Sequence, residues 1–209
     1  MSFNVTGNNG YVIDGNAIQM SPVALSVLNE FIEDRKAKLD RPFRLLEYGS
    51  GSSTAYWIEK YPDIEIFSVE GDKEWFGKVE EWIQRLKKPG QKVAHVLQEA
   101  TNFYATVPEI NERYANFFEV CGPCDLILND GAMREWVGEH ILENHERFIA
   151  PGGMYLRHDY WMLVMGNWVG FNKKLENKIP DYGGFASTHP EYTAVTVNGN
   201  GKWGYLAEM

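Results

Sequence analysis

The feature that most constrains this chain is an alternation. Between residues 43 and 158, short apolar runs of strand length take turns with longer amphipathic stretches. Phe43–Tyr48 reads as a strand, Thr54–Tyr61 as a helix, Ile64–Glu70 as a second strand and Lys73–Lys88 as a second helix. In that last segment Trp75, Phe76, Val79, Trp82, Ile83 and Leu86 recur at near-helical spacing. Lys92–Leu97 is a third strand, and Asp125–Asn129 is a fourth that reads as fully buried. Arg134–Ile149 is helical, with Val137, Ile141, Leu142, His145 and Phe148 along one side. Met154–Arg157 is a fifth strand after a Pro151-Gly152-Gly153 turn. Strands buried on both faces need helices on both sides. The alternation therefore predicts an α/β fold: a Rossmann-like, doubly wound, mostly parallel sheet.

The two ends depart from this pattern. Residues 1–20 are rich in Gly and Asn and read as an arm or lid with little regular structure. Ser21-Pro22 is a helix start, because Ser caps free amides and Pro suits the first helical position. That helix is expected to reach about Leu39 and to stop before Pro42, which makes residues 1–40 an N-terminal arm and helix. At the other end Thr193–Val197 and Lys202–Leu206 are β-like and flank Asn198-Gly199-Asn200-Gly201. Asn-Gly pairs favour tight hairpins, so the sheet is expected to close with a C-terminal antiparallel hairpin. With 209 residues, no internal repeat and no linker-like tract, residues 1–209 read as one domain.

Charge narrows the partners. Twenty Lys and Arg face twenty-nine Asp and Glu, for a net charge of −9. Binding to nucleic acid or to an anionic membrane is driven by clustered cations, so neither is an expected partner. No segment reaches the ~20 apolar residues needed to span a bilayer. The opening MSFNVTGNNG lacks a basic region followed by an apolar one, and two cysteines cannot build a disulfide framework. The expected location is cytoplasmic.

The chemistry begins at Glu47-Tyr48-Gly49-Ser50-Gly51-Ser52-Ser53, where the first strand turns into its helix. Glycines there let a ligand come close to the backbone. Glu70 ends the second strand roughly twenty positions on, where an acid can accept hydrogen bonds from both hydroxyls of a ribose. A dinucleotide site prefers Gly-x-Gly-x-x-Gly, and Thr54 stands at the third glycine position. Glu47 is also a poor neighbour for a pyrophosphate and a good one for a cationic ligand.

On these residues the chain resembles the class I S-adenosylmethionine (SAM)-dependent methyltransferases, in particular the small O-methyltransferases. Their first motif is an acid followed by Gly-x-Gly, often with a further Gly where this chain has Ser53. The resemblance spans roughly residues 43–209 and includes the acid at Glu70 and the closing hairpin. It implies that SAM is the cofactor. Glu47 would contact the methionine amino end through water, and Gly49, Ser50 and Gly51 would pass their backbone beside methionine and ribose. Glu70 would hold the ribose hydroxyls, and Glu99 and Ala100, after the third strand, would lie against adenine.

On the acceptor side, Asn129-Asp130-Gly131 follows the fourth strand and His158-Asp159-Tyr160 the fifth. Open α/β sheets bind ligands at this end of their strands, so Asp130, His158 and Asp159 are the candidate catalytic residues. The work left for them is to align the acceptor and remove its proton, with His158 as base and Asp130 orienting it or the substrate. Some small O-methyltransferases hold Mg²⁺ or Ca²⁺ with an Asp after the fourth strand and an Asp-Asn pair after the fifth. Tyr160 stands in place of that Asn, so no metal ligands are assigned, and Mg²⁺ or Ca²⁺ held by the two carboxylates and waters stays open as the lesser alternative. The Asn/Asp-Pro-Pro-Tyr motif of amino-directed nucleic-acid methyltransferases is absent, which favours a small-molecule acceptor and oxygen over nitrogen. Cys121-Gly122-Pro123-Cys124 runs into a strand rather than opening a helix, so no redox or zinc role is expected. The aromatic and Met side chains between Tyr160 and Phe171 read as a core helix or the face of a homodimer, with the wall of an acceptor pocket as the alternative. Two other readings stay open: an NAD(P)-dependent oxidoreductase, and a SAM-binding protein without turnover.

Overall fold

The computed structural model of the chain describes residues 11–18, 20, 22–100, 113–114, 116–132, 137–138, 140–141, 144–158 and 192–196. The first element is a small antiparallel hairpin, β1 (Val12–Ile13) and β2 (Asn16–Ala17). Its turn residues Asp14 and Gly15 have φ of 48° and 80°, the left-handed geometry that matches the twist of a hairpin. The Asp14 carboxylate accepts from Trp82 Nε1 at 2.7 Å, and Ile13 and Ile18 are buried. Residues 12–17 thus form a strap docked on a helix, where an irregular arm was expected.

Helix α1 (Pro22–Lys36) is followed by β3 (Arg44–Tyr48), α2 (Ser52–Lys60), β4 (Glu65–Glu70), α3 (Lys73–Leu86) and β5 (Val93–Leu97). The chain then returns through a 3₁₀ turn (Asn116–Val120) to β6 (Cys124–Asn129), a short α4 (His145–Phe148), β7 (Ile149–His158) and β8 (Tyr192–Thr196). Together β3 to β8 make one six-stranded sheet in the order β5-β4-β3-β6-β7-β8. The first five strands of that set are parallel, and β8 lies antiparallel to β7. This is the doubly wound arrangement expected from the alternation. Of the closing hairpin, the strand near Thr193–Val197 is present as β8, and Lys202–Leu206 lies outside the described residues.

Neighbouring side chains along a strand point to opposite faces. Leu45, Leu126, Leu128 and Met154 therefore join Leu28, Ile32, Trp57 and Trp82 in one core, while Leu46, Ile127 and Tyr155 join Tyr114, Val137 and Phe148 in the other. At the N-terminal edge of the sheet Asp125 is fully buried. It accepts from Arg41 Nη1 at 2.7 Å, Arg35 Nε at 3.2 Å and the Arg44 backbone N–H at 3.0 Å. Those bonds tie α1 and the entry to β3 onto β6.

Three boundaries differ from expectation. Helix α1 ends at Lys36 rather than Leu39, because the Lys38 N–H bonds back to Arg35 in a tighter turn. The helix expected over Arg134–Ile149 is interrupted by a turn at Asn144 before α4. Strand β7 starts at Ile149, not Met154, and runs through Pro151-Gly152-Gly153. A register shift between Cys124 and Leu126 absorbs the extra residues as a bulge, which accommodates a Pro inside a strand.

The order of strands reverses between β3 and β6. There Gly49 has φ +85°, and a Cβ on it would lie 2.6 Å from the Gly131 Cα. A Cβ on Gly131 would lie 2.8 Å from the Gly49 N and 2.0 Å from the Tyr114 hydroxyl. Gly51, by contrast, is extended at φ −179°, and its nearest neighbour to a Cβ is Trp75 Nε1 at 3.9 Å. Gly49→Ala should therefore cost about 2–4 kcal/mol of stability, and Gly51→Ala less than about 1 kcal/mol. Urea unfolding midpoints of the two variants measure the difference.

Candidate functional site

The reversal of strand order brings the loops after β3 and β6 side by side, the place where doubly wound sheets bind ligands. The Gly49 N–H donates to the Val69 carbonyl and the Asp130 N–H to the Tyr48 carbonyl, both at 2.9 Å, so the loops leave the sheet in fixed directions.

Glu70, the last residue of β4, is buried and turned toward the glycine loop. Its Oε2 accepts from the Ser50 backbone N–H at 2.9 Å and lies 3.1 Å from Ser50 Oγ. Its Oε1 accepts from the Gly71 and Asp72 N–H groups at 2.8 and 2.9 Å. Asp72 in turn caps α3 by accepting from the Trp75 N–H at 2.8 Å. One carboxylate thus joins the β3 loop, the β4 end and the start of α3.

Glu47 lies beneath the loop with 1% of its surface exposed. Ser53 Oγ donates to Oε1 at 2.6 Å, Thr54 Oγ1 donates to Oε2, and Ser68 Oγ is 3.3 Å from Oε2. Burial pushes its carboxyl up to about 7, against the pull of the Ser53 and Thr54 hydrogen bonds and with help from the nearby Asp130 charge. Glu47 acts on the site by its charge and by fixing the first turn of α2, not by open contact.

Of the other expected residues, Ala100 lies beside the turn after Glu70: its N–H donates to the Gly71 carbonyl at 3.4 Å. The Glu99 side chain is exposed. Asp130 is half-buried one residue beyond β6. Asn129 pairs in register with Arg157, so Asp130 and His158 leave adjacent strands next to one another. The backbone of His158 ends β7; its side chain and the whole of Asp159 lie outside the described residues. Among the described residues no group of three or more His, Cys, Asp or Glu side chains is gathered to hold a metal ion. Cys121 and Cys124 sit at the opposite end of β6, both buried, with sulfurs 3.7 Å apart. The hydrogen bond between them, with burial, raises the Cys124 thiol well above its ordinary value.

Residues missed from the sequence complete the site. His95, in the middle of β5, has a side chain 2% exposed. Its Nδ1 is 2.8 Å from Glu80 Oε2 and its Nε2 is 3.1 Å from Ser50 Oγ. Its ring stacks on Phe76 with centroids 4.2 Å apart. Trp75 Nε1 donates to the Ser50 carbonyl at 2.6 Å, laying the indole across the loop. The available signal was a single imidazole inside the apolar run Val93-Ala94-His95-Val96-Leu97.

The raised Glu47 carboxyl links stability to pH. A carboxyl near 7 in the folded state and 4.5 in the unfolded state costs nothing while both forms are protonated, and most when both are ionised. Stability should therefore fall as pH rises from 4.5 through 7, by roughly 3 kcal/mol. In Glu47→Gln that slope should vanish, as read from urea midpoints of both proteins between about pH 5 and 8.

No helix among the described residues is long and apolar enough to cross a membrane. No protein-family model and no curated protein matches the chain. Solved structures do. A methyltransferase-like protein from Silicibacter pomeroyi superposes with a TM-score of 0.60 at 20% identity, over 87% of this chain and 88% of that one. An rRNA methylase from Streptococcus thermophilus gives 0.51 at 12% identity, over 86% and 97%. The MycE methyltransferase of the mycinamycin biosynthetic pathway, in complex with Mg, SAH and mycinamycin VI, gives 0.51 at 16%, over 89% of this chain and 57% of that one. The central parallel sheet with its flanking helices is the Rossmann-like methyltransferase fold.

Proposed function

We propose that the chain is a SAM-dependent methyltransferase acting on a small-molecule acceptor, at oxygen. The observation that carries this reading is the buried Glu70 carboxylate, turned to the glycine loop at the end of β4 in a methyltransferase fold. The MycE enzyme, which shares the fold, is described with SAH bound. The chemistry of the residues present fits such a cofactor. Glu70 offers a charged acceptor for sugar hydroxyls, and Asp130, joined by Glu47 as it ionises near pH 7, makes the loop negative, as suits a sulfonium and an ammonium group. Glu47, where it is ionised, and Asp130 oppose a pyrophosphate beside the loop, so a dinucleotide is the poorer fit.

Bound SAM supplies a methyl group already activated by the positive sulfur. What remains for the chain is to orient the acceptor and take its proton. In this reading Glu70 holds the ribose, the Gly49–Gly51 backbone flanks the methionine and sugar, and Glu99 and Ala100 border the adenine. Asp130, His158 and Asp159 face the acceptor, with His158 as the base. The carboxylates of Asp130 and Asp159 orient the acceptor rather than ligate a metal, since Tyr160 stands where a further ligand would be needed. The net charge of −9 favours a small acceptor over a nucleic acid.

Calorimetric titration tests the reading. S-adenosylhomocysteine should bind and NAD⁺ should not. Glu70→Gln, which keeps the shape but removes the charge, should weaken binding about 10- to 100-fold. Unchanged affinity would remove Glu70 from the site, and binding of NAD⁺ alone would point to an oxidoreductase. Formation of S-adenosylhomocysteine from SAM with a panel of hydroxyl-bearing acceptors separates an enzyme from a binding protein.

A further inference from the structure

The two glutamates beside the glycine loop are held by different kinds of partner. Glu70 accepts from the backbone N–H groups of Ser50, Gly71 and Asp72. A backbone N–H can only donate, so its match is a carboxylate. Glu47 meets hydroxyls instead: Ser53 at 2.6 Å, Thr54, and Ser68 at 3.3 Å. A hydroxyl donates or accepts by turning one hydrogen, so this set serves the carboxylate and the neutral acid alike. Thr54 Oγ1 also accepts from the Gly51 N–H at 2.8 Å, which holds it beside Glu47 in either state.

Among the described residues no cation bonds Glu47. Helix α2 turns the Ser53 and Thr54 hydroxyls to it, and β4 and β6 flank it with Ser68 and Leu128. Two residues further along those strands stand the acids Glu70 and Asp130. Lys78 of α3 lies over the rings of Trp75 and Trp82. An ionised Glu47 is therefore desolvated and has like charge nearby, which pushes its carboxyl up to about 7. What this carboxyl lacks is a positive charge, and the loop above it is where a ligand would bring one.

We infer that Glu47 senses the charge of the cofactor: it loses its proton when a sulfonium seats above the glycine loop and regains one when methyl transfer leaves a neutral thioether. The inference rests on the SAM reading. In that transfer an electron pair of the acceptor oxygen forms the new bond to carbon, and the carbon–sulfur pair returns to sulfur, which loses its charge. The acceptor's hydroxyl proton goes to the base. The Glu47 proton passes to solvent on binding, and half-buried Ser53 stands between that carboxyl and the surface. SAM and S-adenosylhomocysteine share one ammonium, one carboxylate and one sugar, so the charge on sulfur is what tells them apart. An ionised Glu47 favours SAM, and its return to the neutral acid weakens the hold on the product's ammonium group.

The test uses the full chain and calorimetric titration with SAM and with S-adenosylhomocysteine between about pH 5.5 and 8.5. The ratio of the two affinities should rise about tenfold in favour of SAM as pH increases, because the ionised form gains the attraction. In buffers of different ionisation enthalpy near pH 6.5, SAM should release about half a proton and S-adenosylhomocysteine less. Glu47→Gln stays neutral and keeps the hydroxyl partners. It should flatten the ratio and remove the excess proton release. A ratio that ignores pH, or one that still rises in Glu47→Gln because His158 is the titrating group, would overturn the inference. Should the variant fail to fold, carbon-13 NMR of the wild-type Glu47 carboxyl decides. At about pH 6.5 SAM should move it further toward the carboxylate position than S-adenosylhomocysteine does, and equal positions would overturn the inference. Binding of neither ligand would sink the cofactor reading and this inference with it, whereas binding of both with a flat ratio would sink this one alone.

Discussion

The rest of the site depends on two backbones touching. Gly49 and Gly131 meet with no side chain between them, and a Cβ on either would fall inside the other's van der Waals surface. This contact sets how closely the loops after β3 and β6 can run. It also explains why Asp130 comes close enough to Glu47 for the two charges to feel one another. A wider crossing would separate the loop beside Glu70 from the strand end that carries Asp130.

Within that frame, negative charge is held by hydrogen bonds rather than by cations. Glu70 rests on three backbone amides, and Glu47 on the hydroxyls of Ser53, Thr54 and Ser68. Asp125, at the far end of the sheet, is treated in the opposite way, with Arg35 and Arg41 against it. The contrast is physical. An ion pair neutralises a structural charge, whereas amides and hydroxyls stabilise a carboxylate and leave its field directed outward. Glu70 therefore keeps an attraction for a cationic ligand that Asp125 has given up, and Glu47 adds to it as it ionises near pH 7.

Much of the sheet was legible because its signals are local. Runs such as Leu126-Ile127-Leu128, short and bounded by turn residues, read as central strands, and the acid at Glu70 followed from its place at a strand end. Local signals were also overlooked. Asp14-Gly15 is as good a hairpin turn as Asn198-Gly199, and it forms the strap on α3. The start of β7 was hidden for a different reason. Pro151-Gly152-Gly153 has the composition of a turn, and only pairing with β6, through a bulge, makes it strand. The same reasoning puts Asp130 and His158 at one sheet end, and Asn129 and Arg157 before them pair in register.

By itself the sequence determined the winding of the sheet, the loop between β3 and α2, and the acid that closes β4. These follow from periodicity and from glycine, which act over a few residues. Tertiary structure alone decided that His95 reaches Ser50 past β4, that Glu80 lies 2.8 Å from the other nitrogen of that ring, and that Glu47 is buried deeply enough to hold a proton near neutrality. Hydrogen bonds between residues 45 positions apart, and the desolvation of a single carboxyl, depend on where separate elements pack, and no short-range pattern encodes that.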